Sequence, residues 1–257
     1  MYPLYKKLRI GVGTLAVIAL LVVVKLAIHA WGYEFFSLNA LFTSAIAGAI
    51  FIMGFLLAGI MSDYKEAEKV PAEMRSSLEN IWEEAKFFSR DKQEFNLKKL
   101  RENLISVIRS FFTGLSHEGD HYNLEPCVAS VNELSESFYE MEKLGMPPNF
   151  IVRLEGEQAT LRRSVLRVYY IQRTQFLPSA YILAESLALG IVALLLFVKT
   201  EGSPESVVLF GFISYIFLYI RQLIITINKP FRQGDNTMDD VSLFLLREFE
   251  SKLVKYS

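Results

Sequence analysis

The residues whose types and spacing come nearest to a reactive site are His117, Glu118, Gly119, Asp120 and His121, two histidines at i and i+4 with a glutamate beside the first. On a helix that spacing sets both imidazoles on one face, where they hold zinc while the glutamate acts as the general base of a hydrolase. The neighbours oppose it. Gly114, Ser116, Gly119 and Asn123 describe a polar loop with no apolar stripe to bury a metal, so a solvated connection between two helices is the simpler account. The single cysteine, Cys127, has no second thiol and reads as a small packing residue. There is no Gly-rich phosphate loop and no internal repeat, and catalysis is not expected.

Four ionisable residues fall inside long apolar runs: Lys25, His29, Glu185 and Arg221. A charge in hydrocarbon costs about 2.5 to 3.5 kcal/mol on insertion scales, so each needs a partner, a water-filled cavity or a nearby headgroup layer. Lys25 and His29 share a helix face near the far end of the first run, where they either gather anions at a pore mouth or snorkel to the headgroups. Glu185 lies about two turns inside the third run and faces a neighbouring helix, a vestibule or Arg221. The sequence alone does not choose.

The elements that carry these groups follow from hydropathy. Apolar runs extend from Ile10 through Trp31, Leu38 to Met61, Ala180 to Val198 and Val207 to Ile227. Roughly 22 helical residues reach about 33 Å, enough to cross a bilayer. The first run follows Lys6, Lys7 and Arg9 as a signal peptide would, but it is too long for one and lacks a small-residue cleavage site before Trp31 and Phe35. Basic residues gather on one side, at Lys6, Lys7, Arg9, then Lys65, Lys69 and Arg75, then Arg221, Lys229 and Arg232, whereas residues 32–40 have none and the linker from Thr200 to Ser206 has only Lys199 at its edge. Both termini and the middle segment are therefore expected in the cytoplasm, with the chain in the cell (inner) membrane. The expected division is 1–62 and 179–228 as transmembrane pairs, 63–178 as a cytoplasmic helical region, and 229–257 as a tail with an amphipathic helix.

A 52% hydrophobic content beside 21% charged residues suits a membrane protein with a sizeable polar part. The net charge of −1 gives no electrostatic ground for a nucleic-acid partner. In the middle segment, apolar residues at spacings of three and four predict helices over Asp63–Arg90, Phe95–Phe112, Leu124–Leu144 and from Asn149 onward, the last with Asn149 as N-cap. Pro71 is expected to kink its helix or open it. Thr237 and Asp240 are expected to start a final helix carrying Val241, Phe244, Phe249 and Leu253. No strand is predicted, so the class is all-α: an integral membrane protein with four transmembrane helices, two before and two after the helical region.

The second run has a pattern beyond hydropathy. Gly48, Gly54 and Gly59 with Ala45, Ala47, Ala49 and Ala58 permit close helix packing, which by itself explains a small-residue helix. Thr43, Ala47, Phe51 and Phe55 also recur every four residues on one face. Several copies around an axis would stack a polar ring above small and aromatic rings, a hydrophobic constriction able to gate by dewetting and to suit a partly dehydrated anion through phenyl edges.

The order of two spans, a helical segment, two spans and then Asn228, Lys229, Pro230, Phe231 resembles the bestrophin family, especially its divergent bacterial and plant relatives. Gly54 and Phe55 followed by Asp63, Tyr64 and Lys65 are similar to the family's Gly-Phe pair and the basic, aromatic cluster after it, although that cluster is altered here. Arg232 also stands where the family has glycine. The resemblance implies a homo-oligomer, a pentamer, that passively conducts anions such as chloride, with its neck at Ala47, Phe51 and Phe55; the residues themselves then suggest Thr43, Lys25 and His29 for the pore entry. It also implies a possible calcium site at Asp235, Asp239 and Asp240, against which stands an ordinary helix start. No other cofactor is implied; membrane lipids are the remaining partners. A membrane-anchored interaction or sensor protein without a pore and a membrane-bound zinc hydrolase stay open as alternatives.

Overall fold

The computed structural model of the chain describes residues 4–116, 123–173, 178–200, 204–228, 230–231 and 239–256. Among them are eight helices: α1 (Leu4–Ala30), α2 (Ala40–Asp91), α3 (Leu97–Leu115), α4 (Glu125–Lys143), α5 (Pro148–Arg173), α6 (Pro178–Leu196), α7 (Pro204–Ile227) and α8 (Phe244–Lys255). No strand forms among the described residues, only an isolated parallel bridge between Phe36 and Val198. The chain divides into two compact units, one of residues 4–64, 178–228 and 239, the other of 65–173, 230–231 and 240–256.

The first unit holds α1, the first half of α2, α6 and α7. Its helices are long and apolar enough to cross a membrane. Their outer faces are apolar as well: Val12, Leu20, Val23, Ile182, Val208 and Phe212 are all exposed. A water-soluble bundle rarely shows such a surface, whereas lipid solvates it at no cost. Inside, α2 places Ala49 and Met53 against Ala188, Ile191 and Leu195 of α6 and Phe210 and Phe217 of α7. At one end the two connections are laced together. The amides of Phe35 and Phe36 donate to Phe197 O at 3.1 Å, Lys199 N donates to Phe36 O at 2.7 Å, and the Phe35 and Phe197 rings stack at 5.1 Å.

The second unit takes the rest of α2 with α3, α4, α5 and α8. α2 passes Pro71 without a break, so of the two expectations the proline does not open a helix. Proline leaves the carbonyl four residues back without its helical donor, at about 3 kcal/mol, and burial of Ala67, Val70, Met74 and Leu78 around it supplies the offsetting packing. Asn96 caps α3 by accepting from Lys99 N, and α4 ends in a Schellman motif: Gly145 at φ +90° donates to Glu142 O and Met146 donates to Met141 O. Pro147 then bars continuation.

Two helix starts differ from expectation. α5 begins at Pro148, whose missing N–H costs nothing in a first turn, so Asn149 is inside the helix and not its cap. α8 begins only after Leu243 and has no acid in its first turn, so Asp240 does not cap it, while Thr237 lies outside the described residues. α8 buries Leu246, Phe249 and Leu253 and is fastened by ion pairs of Lys252 with Glu79 and of Arg109 with Glu250, each at 2.7 Å. Pro230 and Phe231 also belong to this unit: Val241 N donates to Pro230 O and Gln172 Nε2 to the carbonyl of the buried Phe231.

Candidate functional site

Along α2 the side chains separate by what they meet. At about 100° per residue, positions two apart lie nearly opposite, so Ala49 and Met53, sealed in the bundle, turn Ala47, Phe51 and Phe55 outward. Phe51 is 75% exposed and Phe55 73%, with Thr43, Ala47, Gly48, Gly54 and Ala58 exposed beside them. No other described part of the chain covers this charge-free face. The hydroxyl of Thr43 donates to Asn39 O at 3.1 Å, and Asn39 Oδ1 accepts from Phe42 N at 2.9 Å to cap the helix. Thr43 therefore presents an oxygen acceptor, not the free donor that a hydroxyl ring at a pore mouth would suggest.

Lys25 departs furthest from expectation. Its side chain is 1% exposed, so it does not stand at a mouth: Nζ lies 2.7 Å from Glu34 Oε1 and donates to the carbonyls of Leu196 and Val198. These carbonyls cluster at the C-terminal end of α6, where a helix favours a cation. Glu34, 9% exposed, accepts from Lys25, from Thr200 N at 3.0 Å and from Thr200 Oγ1 at 2.8 Å, and pairs with His29 Nδ1 at 3.0 Å. Burial pushes the Glu34 carboxyl up, but the hydrogen bonds from Lys25, His29 and Thr200 outweigh it and hold it at about 2. His29, 41% exposed, is the member of the expected mouth pair that faces outward.

The other intramembrane charges find each other: Arg221 Nη2 of α7 donates to Glu185 Oε1 of α6, which selects one of the three roles open to Glu185. Cys127 is buried, and burial pushes its thiol up to about 12, which removes it from nucleophilic chemistry. His117, Glu118 and His121 lie outside the described residues, as does Asp235. Asp239 is half-buried and Asp240 buried. Among the described residues no group of three or more His, Cys, Asp or Glu is placed to hold a metal ion.

No protein-family profile matches the sequence, and no curated protein matches it. The fold is matched closely among solved structures. A bacterial bestrophin homologue from Klebsiella pneumoniae superposes with a TM-score of 0.79 at 13% identity, covering 95% of this chain and 97% of that one. Two single-site variants of the Klebsiella bestrophin homologue match with TM-scores of 0.78 and 0.79 at 14% and 13% identity. The protein is thus an all-helical integral membrane protein with four candidate spans and a bestrophin-like fold.

Proposed function

We propose that this protein is an oligomeric channel that passively conducts anions of the chloride class through an axial pore lined by α2. The observation that carries the reading is the uncovered aromatic face of α2, with Phe51 and Phe55 three-quarters exposed on a helix whose opposite face is sealed. The bestrophin-like fold supports it, as the Klebsiella bestrophin homologue superposes over 95% of this chain. In the oligomer, a pentamer by resemblance, Phe51 and Phe55 form the neck, Ala47 its wider upper ring, and Thr43 and His29 line the approach. Small residues at Gly48, Gly54 and Ala58 let neighbouring copies of α2 come close. Positive phenyl edges favour a partly dehydrated anion, and a narrow apolar neck gates by dewetting. The basic residues Lys65, Lys69 and Arg75 support a cytoplasmic position for the helical unit.

Single-channel recording in planar bilayers under a chloride gradient tests this. Wild type should pass anion-selective current, and Phe51→Ala with Phe55→Ala should raise conductance and weaken gating. Silence from a well-folded oligomer in both forms would overturn the reading and leave a membrane-anchored interaction protein.

A further inference from the structure

Between α2 and α5, wholly within the second unit, lies a groove of about 530 Å³ lined by Glu66, Lys69, Glu73, Arg163, Ser164 and Arg167. That volume is in the range of small-ligand sites. Arg167 and Glu66 pair with each other and cancel. The remaining charges are unspent. Among the described residues, Lys69 and Glu73 have no ionic partner, and Arg163 makes one hydrogen bond, from Nη2 to Thr160 Oγ1 at 3.0 Å. Ser164 supplies a second, independent sign. Only 4% exposed as a residue, it lines the groove with a solvent-accessible hydroxyl that makes no hydrogen bond among the described residues.

Two exposed cations and one exposed carboxylate without ion-pair partners, beside the accessible Ser164 hydroxyl, complement a ligand with a strong anion and an amine a few bonds apart. A guanidinium with an ammonium is suited to phosphate oxygens, and Glu73 is left to receive the amine. We infer that this groove binds an aminoalkyl phosphate ester of the phosphoethanolamine class. Either a lipid headgroup or a soluble ester can supply it. The site does not depend on ion conduction.

The test uses the full-length protein, delipidated in detergent, with native mass spectrometry against phosphatidylethanolamine and phosphatidylglycerol and calorimetry against O-phosphoethanolamine and inorganic phosphate. Wild type should bind an ethanolamine phosphate; Lys69→Gln with Arg163→Gln should weaken it about tenfold, and Glu73→Gln should remove the preference over the glycerol headgroup or bare phosphate. Retention of phosphatidylethanolamine assigns the lipid source, and binding of O-phosphoethanolamine without lipid assigns the soluble one. Binding of neither, equal binding of inorganic phosphate, or affinity unchanged in the Lys69, Arg163 variant with native circular dichroism would overturn the inference.

Discussion

Replacing Lys25 with Met keeps the length of the side chain and removes its charge from a site that is 1% exposed. Three acceptors lose their donor at once: Glu34 Oε1 and the carbonyls of Leu196 and Val198. Removing one partner of a buried ion pair costs about 3 to 5 kcal/mol. The acid gives a second measure. A carboxyl held at about 2 against an ordinary 4.5 favours its ionised form in the fold by about 3 kcal/mol, and Lys25 is the first of the groups that lower it. For a domain of this size, about 3 kcal/mol is roughly 6 to 12 °C of Tm. The sign with pH follows: a depressed acid stabilises above its unfolded value of 4.5, and that contribution is lost as pH falls from 4.5 toward 2. In Lys25→Met the burial that raises the Glu34 carboxyl is opposed only by His29 and Thr200, so acid destabilisation should begin at higher pH than in wild type. Differential scanning fluorimetry of wild type, Lys25→Met, Glu34→Gln and the double variant from pH 3 to 8 measures both effects. The Glu34→Gln cost should largely vanish in the Lys25→Met background. A Tm loss under about 2 °C for Lys25→Met, or additive losses in the double variant, would refute the ion-pair reasoning.

Gly114→Ala should lower stability by about 1 to 3 kcal/mol, since a Cβ there would meet Asn123 O at 2.7 Å and Leu124 Cδ2 at 2.6 Å, and a backbone oxygen has little room to yield; thermal unfolding reads this directly. Cys127 should resist maleimide at pH 8 in the folded protein and react fully once unfolded, because its thiol is both buried and raised to about 12; rapid labelling of native protein would contradict its packing.

The helical unit was legible because its signals are local. Leu100, Leu104, Val107, Ile108 and Phe111 recur at three and four, and all are buried in α3. Gly145 and Pro147 announce the end of α4 through chain chemistry alone. Lys25 was not legible in this way. Its position in an apolar run marks it as costly, but the carbonyls that satisfy it come from α6 and the residues after it, 171 and 173 positions away, so no local pattern points to them. Glu185 and Arg221 were both visible as intramembrane charges, and only the packing of α6 on α7 joins them. The α2–α5 groove escaped notice for a different reason: Lys69 serves equally well as a positive flank of the second span, and Ser164 is an ordinary residue until its hydroxyl is seen without a partner.

The stripe on α2 is an intermediate case. Its spacing is local and readable, but in an apolar helix the exposed face is set by which neighbours seal the other side, here through Ala49 and Met53. The spacing then carries geometric consequences for a pore. A row of side chains four apart is inclined by about 26° to its own helix, so rings built from Thr43, Ala47, Phe51 and Phe55 stack along an axis only if α2 tilts by a similar angle. Phe51 and Phe55 are one turn apart, about 6 Å of rise, and a bulky residue at 47 would have extended the constriction to about 12 Å. In the proposed pore, Ala47 would confine the apolar barrier to two rings. A dewetted plug that short is easier for an ion to cross, so Ala47→Leu should lower conductance even with Phe51 and Phe55 intact, and the same substitution in a lipid-facing stripe would leave current unchanged.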